Sequence, residues 1–291
     1  MPARAKGTGR VSIFTPSVQK GRLTCGHAGC TNVGVIPIRD ENPTLRTPVV
    51  TIALLVTLAA VWVFVQGAGL DREVLAASIC NLGLVPGEIT GQAPLGKGIP
   101  IAPGLACIVD AEPINKLTPL TSMFLHGSWS HLIGNALFLW VFGNNVEDSM
   151  GRLRFIVFYI ACGLAAAALQ VVVHPASPVP MVGASGAIAG VLGGYLVLYP
   201  RVRVDVLVPI PFFWPIFTVP AFMMLLWWIV VQVIAALPEL SRVDQDVSSG
   251  VAFFAHIGGF VAGVVLIKLF ARRATVERRH MIRHRLHPGH P

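Results

Sequence analysis

From residue 47 to residue 270 the chain alternates long uncharged apolar runs with shorter polar stretches. Each run is close to the roughly 20 residues that an α-helix needs to cross the hydrocarbon core of a bilayer. The first covers 48–66, inside a charge-free stretch from Thr47 to Leu70. The second starts near His131 and ends before Glu147, the third covers 155–173 and the fourth 185–199. The fifth lies within 212–237, with Pro215 and Pro220 near its start, and the sixth runs from 251 to about 270. This pattern predicts an all-α polytopic membrane protein with six transmembrane helices. A basic N-terminal tail, 1–46, precedes the six-span domain of 47–270, and a basic C-terminal tail, 271–291, follows it. Within the domain, 67–119 reads as one long loop whose Gly and Pro mark turns. Its segment 71–85 is expected as a short amphipathic helix resting at the membrane interface.

Composition agrees with the pattern. Hydrophobic residues make up 54% of the 291, charged ones only 12%, and mean hydropathy is +0.69, which excludes an ordinary soluble domain. The net charge of +8 does not point to nucleic acid, because the cations flank the spans. With the N-terminus in the cytosol, all but Arg72, Lys97, Lys116 and Arg242 of the 22 Lys and Arg fall on the inner side. That asymmetry predicts six spans with both termini cytosolic and the 67–119 loop outside. The leader 1–46 lacks an apolar core for a cleavable signal peptide and reads as a flexible cytosolic tail.

Polar groups inside apolar spans are the first candidates for function. Met181-Val182-Gly183-Ala184-Ser185-Gly186-Ala187 puts a serine among small residues at the entry of the fourth span, near the outer face. A helix N-terminus offers unpaired N–H groups and the positive end of the dipole, both suited to an oxyanion beside a serine nucleophile. His256 lies at a similar depth on the sixth span, where an imidazole takes up a hydroxyl proton and returns it to a leaving amine. Gly259 and Gly263 share one face of that helix, Gly186 and Gly190 offer a matching strip, and their contact would bring Ser185 to His256. On the second span, His131 and Asn135 share a face and can donate to an oxyanion alongside the Ser185 N–H; His126 and Gly183 are expected to line the same cavity. Trp129 reads as an interfacial anchor. Cys25 and Cys30 are only half of a structural zinc site, so neither metal nor cofactor is expected. Cys80 and Cys107 share the outer loop, and their pairing stays open at this level. The tail with His280, His284, His287 and His290 reads as solvated and inner-side.

With these motifs on spans two, four and six, the chain resembles the rhomboid intramembrane serine proteases over roughly residues 35 to 270. The segment Ile36-Pro37-Ile38-Arg39-Asp40-Glu41-Asn42-Pro43-Thr44 resembles bacterial members. The resemblance implies a rhomboid-like bundle and a Ser185–His256 dyad without an acidic third member. It also implies an oxyanion hole of His131, Asn135 and the Ser185 N–H, and a bracing role for Glu147. The substrates implied are single-span or multi-span membrane proteins in the lipid bilayer, cleaved near the outer face, and the location implied is a bacterial plasma membrane. A non-catalytic relative that binds or routes membrane helices is the alternative. Two positions depart from the pattern. Leu117-Thr118 stands where many bacterial members carry a Trp-Arg pair, and Ala189 where some carry a tyrosine beneath the histidine. Another side chain is therefore expected to hold the imidazole.

Overall fold

The computed structural model describes residues 11–13, 36–102, 104–209, 213–241 and 252–286. Cys25, Cys30, Arg242, His287 and His290 lie outside the described residues. The protein is mostly helical, but the all-α expectation needs a correction: two small three-stranded antiparallel sheets flank the helices, ordered β1-β4-β3 and β2-β5-β6.

Strands β1 (Val11–Ile13) and β2 (Ile36–Asp40) come from the leader. Helix α1 spans Val49–Ala60 and continues to Val65 through a π turn. No side chain at Pro48 caps it; Glu147, far along the chain, does so instead. Its carboxylate accepts from Val50 N at 3.0 Å, and from Thr51 N and Thr51 Oγ1 at 2.8 Å each. First-turn amides have no intrahelical acceptor, and a carboxylate there also meets the positive end of the dipole. Glu147→Ala leaves three buried donors unpaired and is expected to lower stability by about 3 kcal/mol or more. Thermal unfolding in detergent measures this.

The long loop is folded. Asp71 caps α2 (Arg72–Leu82) by accepting from Glu73 N and Val74 N, and α3 (Pro86–Thr90) follows after Gly83. The hairpin of β3 (Gly98–Ala102) and β4 (Leu105–Ile108) is tied to α2 by a Cys80–Cys107 disulfide. Strand β1 pairs with β4, and β2 pairs with β5. Asp40 anchors strand β2, accepting from Tyr195 Oη and from Asn145 Nδ2.

After α4 (Thr118–Thr121), helix α5 (Trp129–Phe138) passes through a π turn at Leu139–Gly143 into α6 (Asn144–Met150). Then come α7 (Arg152–Val173), α8 (Ser185–Leu198), β5 (Arg203–Leu207), β6 (Ile216–Pro220), α9 (Ala221–Ser241), α10 (Phe253–Phe270) and α11 (Arg273–Leu286). Among the described residues, three helices are long and apolar enough to cross a membrane: Arg152–Val173, Ala221–Pro238 and Phe253–Phe270. Val49–Val65 and Ser185–Leu198 are shorter apolar helices.

Helix α8 is the axis of the bundle, buried from Gly186 to Tyr195 between α7 and α10. Its glycines permit this. A Cβ on Gly259 would overlap the Gly186 carbonyl, one on Gly263 the Gly190 carbonyl, and one on Gly190 the Cys162 side chain. The two backbones therefore touch through the glycine strips, as the helix faces required.

The C-terminal end of α8 is covered by the segment expected to be a solvated tail. Arg279 of α11 is buried: it pairs with Asp148 at 3.1 Å and donates to the Asn145 carbonyl at 3.0 Å and to Tyr199 Oη at 2.9 Å. A buried guanidinium is held where several acceptors converge, and here they do. Burial pushes the neighbouring Asp40 carboxyl up to about 6, against the Tyr195 hydrogen bond and the Arg279 charge, which pull it down. Because folding raises this group above its ordinary value near 3.8, its contribution is complete below about pH 4 and is lost as pH rises through about 6. Asp40→Asn is expected to remove that loss, so that the variant gains on wild type in thermal unfolding between pH 4 and pH 7.

Candidate active site

Ser185 is the first residue of α8, so its N–H has no acceptor within the helix. The turn before it is set by the long loop. Met181 exchanges backbone hydrogen bonds with Leu84 (2.7 and 2.9 Å), and Gly183 N donates to the Ser122 carbonyl at 2.9 Å. Gly183 sits at φ +134°, and a Cβ there would run into the His131 ring at 2.8 Å. Glycine is required on both counts.

His256, one turn into α10, points its Nε2 at Ser185 Oγ, 2.8 Å away. Its other nitrogen, Nδ1, lies 2.7 Å from Oε1 of Gln232 on α9. Trp228, one turn earlier on α9, lies tilted beside the imidazole with ring centroids 5.7 Å apart, and Phe253 meets its edge. Gln232 is missing from the residues that the motifs point to. Its signal was available: it is the one polar side chain in the apolar run 221–237, and such residues are functional candidates by default.

Ser185, His256, His131, Asn135, Gly183 and Gly186 all line one cavity of about 580 Å³, with Gln232 and Trp228 on its α9 wall. The His131 ring faces the serine turn across Gly183. His126 does not stand on the wall, contrary to expectation. It is fully buried behind Asn135, whose Nδ2 lies 3.0 Å from His126 Nε2, and its ring packs edge-on against His131. Gln66 fixes it there, accepting from His126 N and donating to its carbonyl at 2.8 Å each. Gly190, Gly259 and Gly263 lie below the cavity in the α8–α10 contact. Trp129 is half exposed and packs against Trp62.

A serine and a histidine in hydrogen-bonding contact, recessed in an apolar helical bundle at a helix N-terminus, define a class of site suited to acyl transfer. The sequence profile of the Rhomboid domain matches residues 116–273, and the chain belongs to the rhomboid family. It is 28% identical over 158 residues to Rhomboid-like protein 11, chloroplastic, of Arabidopsis thaliana, an alignment covering 53% of this chain and 52% of that protein. Over 77 residues it is 43% identical to Rhomboid protease GluP of Bacillus subtilis (strain 168), covering 26% of this chain and 15% of that one. Rhomboid protein 1, mitochondrial, of Saccharomyces cerevisiae is 31% identical over 102 residues, 33% of this chain and 30% of the relative. The chain thus spans about half the length of the first of these relatives and less of the other two.

Proposed function

We propose that this chain is an intramembrane serine endopeptidase that cleaves transmembrane helices of membrane-protein substrates. The observation that carries the reading is the 2.8 Å contact between Ser185 Oγ and His256 Nε2 inside the cavity. Ser185 Oγ attacks a peptide carbonyl as His256 takes its proton, and the oxygen that becomes negative is held by the Ser185 N–H, His131 and Asn135. His256 then gives the proton to the leaving amine. A water, deprotonated by His256, attacks the acyl-enzyme, releases the acid product and restores the serine.

The site belongs near the outer face but below it. Fourteen helical residues rise only about 21 Å, against a hydrocarbon core of about 30 Å, so a helix ending at the inner boundary starts well inside the bilayer. The Cys80–Cys107 disulfide supports an outer, oxidising location for the loop above the cavity. Six spans with both termini cytosolic, in a bacterial plasma membrane, is the arrangement that fits this and the cation asymmetry. The substrate helix unwinds locally to expose its carbonyl and enters laterally past α9.

The test is cleavage of a tagged single-span substrate in proteoliposomes by wild type and Ser185→Ala. Product from wild type alone is the expected result. Equal product from both would reject Ser185 as nucleophile. No product from either, with no fluorophosphonate labelling of wild type, would leave a non-catalytic helix-binding relative.

A further inference from the structure

We infer that Gln232 is the positioning residue of this site: its side-chain oxygen fixes the tautomer and orientation of His256 from the neighbouring helix α9. This rests on the protease reading above. A general base can accept the Ser185 proton at Nε2 only if the ring's own proton sits on Nδ1. Gln232 Oε1, 2.7 Å from Nδ1, is an acceptor only, so it selects that tautomer and leaves the Nε2 lone pair facing Ser185. The reverse amide orientation would place a donor at Nδ1, move the proton to Nε2 and disable the base. A neutral acceptor also suits the location, since a carboxylate in the same apolar cavity would carry the cost of a buried charge.

Helix α9 supplies the rest of the support from the same face. Trp228 precedes Gln232 by four residues and covers the imidazole. Together they hold the imidazole from α9, whereas Ala189 is buried in the bundle. Helix α9 is also the least embedded of the three long apolar helices: 22% of its span is buried, against 39% for α7 and 33% for α10. A displacement of α9 would therefore pull Gln232 from Nδ1.

The experiment compares wild type, Gln232→Leu and Gln232→Glu for cleavage of the single-span substrate and for the rate of fluorophosphonate labelling, with Ser185→Ala as blank. Gln232→Leu keeps size and removes the acceptor; kcat is expected to fall about 10- to 100-fold with KM within about twofold, and labelling to fall in parallel. Gln232→Glu, which accepts at Nδ1 once it is ionised, is expected to recover most of both rates at the alkaline end of the pH range. Thermal unfolding of both variants confirms that they are folded. Gln232→Leu at the wild-type rate would overturn the proposal. So would equal losses in Leu and Glu, which mean packing alone, and so would faster cleavage in Leu, which would make Gln232 a latch on α9. A wild type indistinguishable from Ser185→Ala would overturn the protease reading and this one with it.

Discussion

His256→Ala is expected to lower cleavage by about 10⁴-fold or more, with fluorophosphonate labelling of Ser185 falling alongside it. The hydroxyl of Ser185 then has no proton acceptor at 2.8 Å, and the cavity is too apolar for an alkoxide to form unaided. The leaving amine also loses its proton donor, so both halves of the reaction stop at one substitution. The two residues act as a unit. Ser185→Ala with His256→Ala is therefore expected to be no worse than Ser185→Ala alone, and the effects are strongly non-additive. Gln232→Leu leaves the imidazole present and disturbs only its orientation, which is why its expected loss is smaller by orders of magnitude. A measured His256→Ala rate within tenfold of wild type would reject the histidine as general base.

The residues of this site could be read from the sequence because they are polar groups in apolar runs. Ser185, His256, His131 and Asn135 each interrupt a stretch where only the interior of a bundle or a cavity tolerates them. The glycine spacings were equally legible, since Gly186, Gly190, Gly259 and Gly263 define flat strips by helical geometry alone. Gln232 meets the same criterion, but no neighbouring motif draws attention to it, and its partner lies on another helix.

Other features had no signal that names their partners. Strands β2 and β5 pair across more than 160 residues, fastened by Arg39 and Asp205; the alternation Arg201-Val202-Arg203-Val204-Asp205-Val206 marks β5 as a strand, but nothing local points from it to β2. Arg279 sits in a run with Arg272, Arg273, Arg278, Arg283 and Arg285, where charge counting cannot tell the buried member from the rest. Only the convergence of Asp148, Asn145 and Tyr199 singles it out. The Cys80–Cys107 bond depended on a three-dimensional distance that loop composition does not contain.

Gly259→Ala is expected to cost about 3 kcal/mol or more and to abolish cleavage, although a single methyl group is added. The added Cβ has no rotamer through which to escape; it is fixed to the backbone and overlaps the carbonyl oxygen of Gly186. Relief requires the α8 and α10 backbones to separate, and these same helices carry Ser185 and His256. Gly186 adjoins the serine, and Gly259 lies three residues beyond the histidine, so the displacement falls on the 2.8 Å contact itself. Stability and activity therefore fail together, which distinguishes this position from Glu147, where a cap distant from the cavity is lost. Val261 of the same helix is 54% exposed, and Val261→Ala is expected to change the unfolding temperature little and to leave the cleavage rate near wild type. Thermal unfolding in detergent and proteoliposome cleavage, read on both variants, decide the matter. A folded and active Gly259→Ala would mean that the glycine strips do not set the distance between nucleophile and base.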